Sequence, residues 1–80
     1  MLLLSNKTEL THLYLNNNLI EDDGAEFIAT ALKSNKTLQY LYLNNNSINY
    51  HGLHKLAQTL EQDNKTLKSL IVYNNFVTEE

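Results

Sequence analysis

Residues 38–48 read Leu38-Gln39-Tyr40-Leu41-Tyr42-Leu43-Asn44-Asn45-Asn46-Ser47-Ile48, and two near copies flank them, LTHLYLNNNLI from Leu10 and LKSLIVYNNFV from Leu67. All three fit the pattern L-x-x-L-x-L-x-x-N-x-L, with valine replacing two aliphatic positions in the last. Within each copy, Leu13 and Leu15, Leu41 and Leu43, and Leu70 and Val72 alternate at the period of a strand, so each pair is expected to face one side of a short sheet. A strand of this length cannot bury its apolar face alone, and identical neighbours must supply the rest of the core.

The repetition extends outward from these strands. The tripeptide Asn-Lys-Thr begins at Asn6, Asn35 and Asn64, so a fixed period of 29 residues runs through the chain. Glu9 is the one slip, an extra residue before Leu10 that shortens the first strand-to-strand step to 28. Between strands the apolar spacing changes to that of a helix: Ala25, Ile28, Ala29 and Leu32 in one repeat, Leu53, Leu56, Ala57 and Leu60 in the next. Each repeat therefore reads as strand, turn and helix. Asp23 is expected to cap the first helix with Glu26 as its capping-box partner, and the acidic run Glu21, Asp22, Asp23 suits the positive end of the helix dipole. A metal site in that run would need further ligands to converge, so the helix-start reading is preferred. Gly24 and Gly52, the only glycines, occupy matching places and mark either close packing or an unusual backbone angle.

Asn18, Asn46 and Asn75 recur where the chain leaves the sheet and strands backbone groups without sheet partners. They are expected to form a structural ladder of buried amides that satisfies those groups. Asn35 and Asn64 follow the helices and are expected to end them in the left-handed conformation. Asn6, Asn35, Asn45 and Asn64 also begin glycosylation sequons. Turn chemistry is the better account of them, since asparagine favours turns for its own physical reasons.

Eighty residues hold one small domain or a piece of a larger one. Hydrophobic residues make up 42% of the chain, too apolar for a disordered tail, and no apolar run is long enough to cross a bilayer. Six lysines, no arginine and nine acids give a net charge of −3, which offers nucleic acid no electrostatic footprint. The absence of cysteine removes disulfides, thiolate zinc sites and cysteine nucleophiles. The opening Met1, Leu2, Leu3 and Leu4 are too few for the apolar region of a signal peptide, so a cytoplasmic location is expected.

The pattern resembles the ribonuclease-inhibitor-like class of leucine-rich repeats, whose repeats run to about 28 or 29 residues with a full helix on the convex side. The stretch NNNLIEDDGAEFIATALKSNKTL is similar to that class beyond the strand motif, and its copy NNNSINYHGLHKLAQTLEQDNKTL keeps the frame while replacing the acidic pair with Asn49, Tyr50 and His51. The resemblance covers residues 10–77. It implies an α/β fold, a right-handed leucine-rich repeat solenoid with parallel strands on the concave side and helices on the convex side. The organisation is then a partial repeat at 1–9, repeats at 10–37 and 38–66, and a partial repeat at 67–80. The class includes ribonuclease inhibitors, sensor ends of NOD-like receptors, actin-regulating scaffolds and the Ran GTPase-activating protein, so the resemblance implies a fold and not a partner.

Met1, Leu2, Leu3 and Leu4 look like the last turn of a preceding helix, and both ends would expose core. The chain is accordingly expected to be a piece of a longer array or to associate with itself through its uncapped ends or its tyrosine face. The strand residues opposite the core form three concave rows: His12, Tyr40 and Ser69; Tyr14, Tyr42 and Ile71; Asn16, Asn44 and Tyr73. Tyrosine provides rigid apolar area with a hydroxyl at its tip, well suited to a protein contact, and it is also simply a good former of solvated strand. His51 and His54 lie a helical turn apart without a third ligand and read as solvated. His12 near Glu9 has no nucleophile placed by any motif. The expected function is a protein-interaction module or scaffold using the concave face, with no cofactor, catalysis, nucleic acid or membrane. A GTPase regulator and a self-assembling structural element are the alternatives, and the first of these lacks an arginine to stabilise a phosphoryl transition state.

Overall fold

A computed structural model describes Ser5 and residues 9–75. The readings made for residues 1–4, 6–8 and 76–80 lie outside the described residues. Three strands, β1 (His12–Tyr14), β2 (Tyr40–Tyr42) and β3 (Ser69–Ile71), alternate with two helices, α1 (Glu21–Leu32) and α2 (Tyr50–Gln62). The strands form one parallel sheet in sequence order. Its register pairs Leu13 with Leu41 and Leu41 with Leu70, so the expected core row runs straight across the sheet.

Burial follows position in the stack. Leu41, flanked on both sides, is 0% exposed, whereas Leu13 and Leu70 on the outer strands are only half-buried. Leu43 repeats this relation with Leu15 and Val72. The helices pack side by side, and Ala25, Ile28, Ala29 and Leu32 of α1 are all buried. In α2 the expectation of four buried positions holds only for Leu56: Leu53 and Leu60 are half-buried and Ala57 is exposed. Ala29 is covered because α2 lies against α1. No described helix does the same for Ala57.

The caps depart from the sequence reading. Asp23 is not the cap of α1, because the helix starts earlier, at Glu21, with Ile20 at the cap position and no side-chain bond to it. Its neighbour Asp22 acts on the other helix. The Asp22 Oδ1 accepts hydrogen bonds from the backbone N–H groups of Asn49, at 2.7 Å, and Gly52, at 3.1 Å. Asn49 is the N-cap residue of α2 and makes no side-chain cap of its own, so a carboxylate from the preceding repeat satisfies two donors that a local cap would otherwise take. Asp22→Ala should lower the unfolding free energy by about 1–2 kcal/mol. Asp22→Asn, which keeps the oxygen, should cost less, and Asp23→Ala should leave the urea midpoint nearly unchanged.

Gly52 accounts for the glycine at that place. A Cβ there would lie 2.6 Å from Asp22 Oδ1 and 3.0 Å from the Ala25 Cβ, so α1 can approach α2 only over a bare backbone. No glycine has a positive φ. Close packing is therefore the reason, not an unusual backbone angle.

Candidate functional site: the exposed sheet face

The turn after each strand sets where the exposed face ends. Asn17, Asn45 and Asn74 adopt φ of 63°, 61° and 57°, the left-handed region that asparagine tolerates better than most residues. The following asparagine then points inward. The Asn46 side chain is 0% exposed; its Nδ2 donates to the carbonyls of Leu15 and Asn44, and its Oδ1 accepts from the Asn18 N–H. Asn75 repeats the arrangement one step on, donating to Leu43 and accepting from Asn46 and Ile48. Asn18, with no described repeat before it, is exposed and bonds the carbonyls of its own Leu15 and Asn16. The expected ladder is present between the described repeats, where Asn46 and Asn75 each reach back one repeat, but only Asn46 is fully buried, with Asn75 half-buried and Asn18 exposed.

A second ladder lies at the opposite end of the strands. Asn35 and Asn64 do not take the left-handed conformation expected of them. They work through their side chains: Asn35 Oδ1 accepts from Thr37 and Leu38, and Asn64 Oδ1 from Thr66 and Leu67. Asn64 Nδ2 also reaches back to the carbonyls of Leu32 and Asn35. Both side chains are buried, which removes Asn35 and Asn64 as glycan acceptors. Asn6 is outside the described residues.

Held at both ends, the sheet presents its other side as ordered rows. Across β1, β2 and β3, His12 pairs with Tyr40 and Tyr40 with Ser69, while Tyr14 pairs with Tyr42 and Tyr42 with Ile71. The strand spacing brings the rings of neighbouring rungs into contact. His12 and Tyr40 stack with centroids 4.4 Å apart, and Tyr14 and Tyr42 at 4.3 Å with planes inclined by 13°. His12 Nδ1 also lies 2.9 Å from the Thr11 hydroxyl. Tyr14 is 61% exposed, and Tyr40, Tyr42, Ser69 and Ile71 are half-buried. In the third row Asn16 is half-buried, Tyr73 is exposed and Asn44, 5% exposed, adds little accessible surface.

The Tyr14 hydroxyl, hydrogen-bonded to that of Tyr42, holds the Tyr42 phenol above the ordinary tyrosine value, with the charge of an ionised Tyr14 and slight desolvation acting in the same sense. A raised phenol stays protonated, so the stability carried by the pair is present below the ordinary tyrosine value and fades as pH rises through the raised one.

The histidines of the helix layer find separate partners. His51 Nε2 lies 3.1 Å from the Glu26 carboxylate of α1 in an exposed cross-helix pair, and His54 stacks on Tyr50. Among the described residues no three histidine, aspartate or glutamate side chains converge as metal ligands. None of the described helices is long and apolar enough to cross a membrane.

Stacked strand-turn-helix units joined by buried asparagines define a repeat protein of parallel strands. The family model described as Leucine Rich repeat matches residues 6–29 and 34–57, more than half of the chain, and the chain belongs to that family. No curated protein and no solved structure matches it. Leucine-rich repeat segments generally mediate protein–protein interaction and are typically non-enzymatic binding modules.

Two features of the site were missed in the sequence. The left-handed middle asparagine was signalled by its recurrence at positions 17, 45 and 74, one before each ladder residue. The Asp22 cap had no signal in its own repeat, because the groups it serves lie in the next one.

Proposed function

We propose that the chain is a protein-binding segment of a longer ribonuclease-inhibitor-like array, wound as a right-handed solenoid, and that it engages a protein partner through the concave sheet face. The observation that carries this reading is the pair of stacked rungs, His12 on Tyr40 and Tyr14 on Tyr42, on the exposed side of the sheet. Rings fixed by their neighbours lose little freedom on binding, and large aromatic side chains dominate the energetics of protein interfaces. Tyr73 and Ile71 extend the same surface beyond the stacked pairs. A GTPase-regulating role gains no support from the residues, since the chain contains no arginine.

The test is affinity capture with the intact chain, followed by titration of the captured partner against variants. Tyr14→Ala with Tyr42→Ala should weaken binding by about tenfold or more, the scale of an aromatic anchor lost from an interface. A convex variant, Lys33→Ala with Lys55→Ala, should bind as the parent does. Unchanged binding by the tyrosine variant, with its helical signal intact, would overturn the concave-face reading.

A further inference from the structure

The third row of the exposed face holds a group that the fold leaves unused. Backbone bonds carry the strand pairing past the sheet, from the Asn17 N–H to the Asn44 carbonyl and from the Asn45 N–H to the Tyr73 carbonyl, so Asn16, Asn44 and Tyr73 stand side by side. Asn44 is 5% exposed. Its main-chain carbonyl accepts from Asn17 and from Asn46 Nδ2. Its side-chain carboxamide has no hydrogen-bond partner among the described residues, and it is not sealed from solvent. Asn46, two residues on, is as deeply buried and bonds through both ends of its amide. A buried carboxamide without a partner costs free energy that a ligand supplying one would recover. On the neighbouring strand Asn16 is half-buried, and its side chain is also without a partner among the described residues.

The chemistry of the face limits what fits there. Its three rows contain no lysine, arginine or carboxylate, so a charged group brought against them would lose water without gaining a counter-charge. The Tyr14 and Tyr42 rings cover each other's faces and leave no open ring face between them for a cation. A carboxamide has a donor end and an acceptor end, and its complement is a neutral group with both. In an extended chain the N–H and C=O of one residue point the same way, which is how paired strands exchange two bonds. Two amides a strand apart, about 4.8 Å, meet successive groups of a main chain, where a partner's side-chain amide would serve only one.

We propose that the partner of this face presents an extended main-chain segment. The Asn44 carboxamide grips one residue of it, Nδ2 donating to the carbonyl and Oδ1 accepting from the N–H, and Asn16 takes the next group alongside. The assignment rests on the exposed sheet face being the binding surface. It adds the chemical class of the partner, a segment recognised by its main chain rather than by a charged side chain.

The test uses the intact chain and linear peptides selected against it from a random display library. Each selected peptide should bind about tenfold more weakly to Asn44→Ala, whatever its side chains. Esters substituted for the peptide's amides, one position at a time, remove single N–H donors. One such ester should weaken binding to the parent about tenfold and leave binding to Asn44→Ala unchanged. The Asn44 carboxamide has no described bond to lose, so Asn44→Ala should melt close to the parent, whereas Asn46→Ala should melt well below it. Peptides lost to Tyr14→Ala with Tyr42→Ala but held undiminished by Asn44→Ala would overturn the main-chain grip and leave the exposed-face reading standing. Peptides indifferent to all of these substitutions would overturn both. A selection that returns no peptide, or one dominated by a charged side chain whose removal abolishes binding, would overturn the proposal as well.

Discussion

Replacing Asn46 with alanine is expected to lower the unfolding free energy by about 2–4 kcal/mol, a large share of the stability of a domain this small. The side chain is fully buried and works in both directions, donating to the Leu15 and Asn44 carbonyls and accepting from the Asn18 N–H. Alanine leaves backbone groups in the turn without partners, and a buried group without a partner costs its full desolvation. The Leu15 carbonyl keeps a bond from Asn18 Nδ2, which keeps the cost below that of a wholly orphaned set. Asn18→Ala provides the contrast. Its amide is exposed, water can replace its bonds, and its effect on the unfolding free energy should stay within about 0.5 kcal/mol. Equal effects at the two positions would contradict the back-reaching ladder.

Gly52→Val should cost a comparable amount, about 2–4 kcal/mol, through overpacking and the loss of a cap. A Cβ at this position meets Asp22 Oδ1 at 2.6 Å, the Ile48 Cγ2 at 2.7 Å and the Ala25 Cβ at 3.0 Å. The first contact displaces the oxygen that caps α2. The third pushes the two helices apart. Gly52→Ala recovers about 1 kcal/mol of helix propensity and should therefore be milder. At Gly24 a Cβ would meet, among the described residues, the Ile20 side chain of the same turn at 2.5 Å, so Gly24→Ala should shift that side chain and leave the junction between α1 and α2 undisturbed. Calorimetric melting of the four proteins orders them directly, with Gly52→Val lowest.

Much of this was legible because a repeat states each position several times. Leu13, Leu41 and Leu70 share a spacing that only a strand face explains, and the rows of His12, Tyr14, Tyr40, Tyr42, Ser69 and Ile71 follow from that face alone. The ladder of Asn18, Asn46 and Asn75 was legible for the same reason. Errors arose where the outcome depends on a neighbour. Ala57 matches Ala29 in sequence, yet burial depends on whether a helix lies against it. Asp23 carries the features of a cap, but Ile20 and Glu21 start the helix sooner and Asp22 serves α2. At Asn35 and Asn64 the residue type fitted a left-handed helix end, and the side chain satisfies the following N–H groups instead. The reading of His51 and His54 as solvated agrees with their exposure, and Glu26 and Tyr50 engage them separately.

Each repeat is fastened to the one before it by the asparagine side chains of Asn46, Asn64 and Asn75, which orders the sheet and its exposed aromatic rows. Amide hydrogen exchange measured by NMR tests this residue by residue. The N–H groups of Asn46 and Ile48, bonded to Asn75, and those of Leu38 and Leu67, bonded to Asn35 and Asn64, should be protected alongside the helix interiors. In Asn46→Ala the Asn18 amide should lose its protection first. Turn amides that exchange as fast as an unfolded chain while α1 and α2 remain protected would contradict the account.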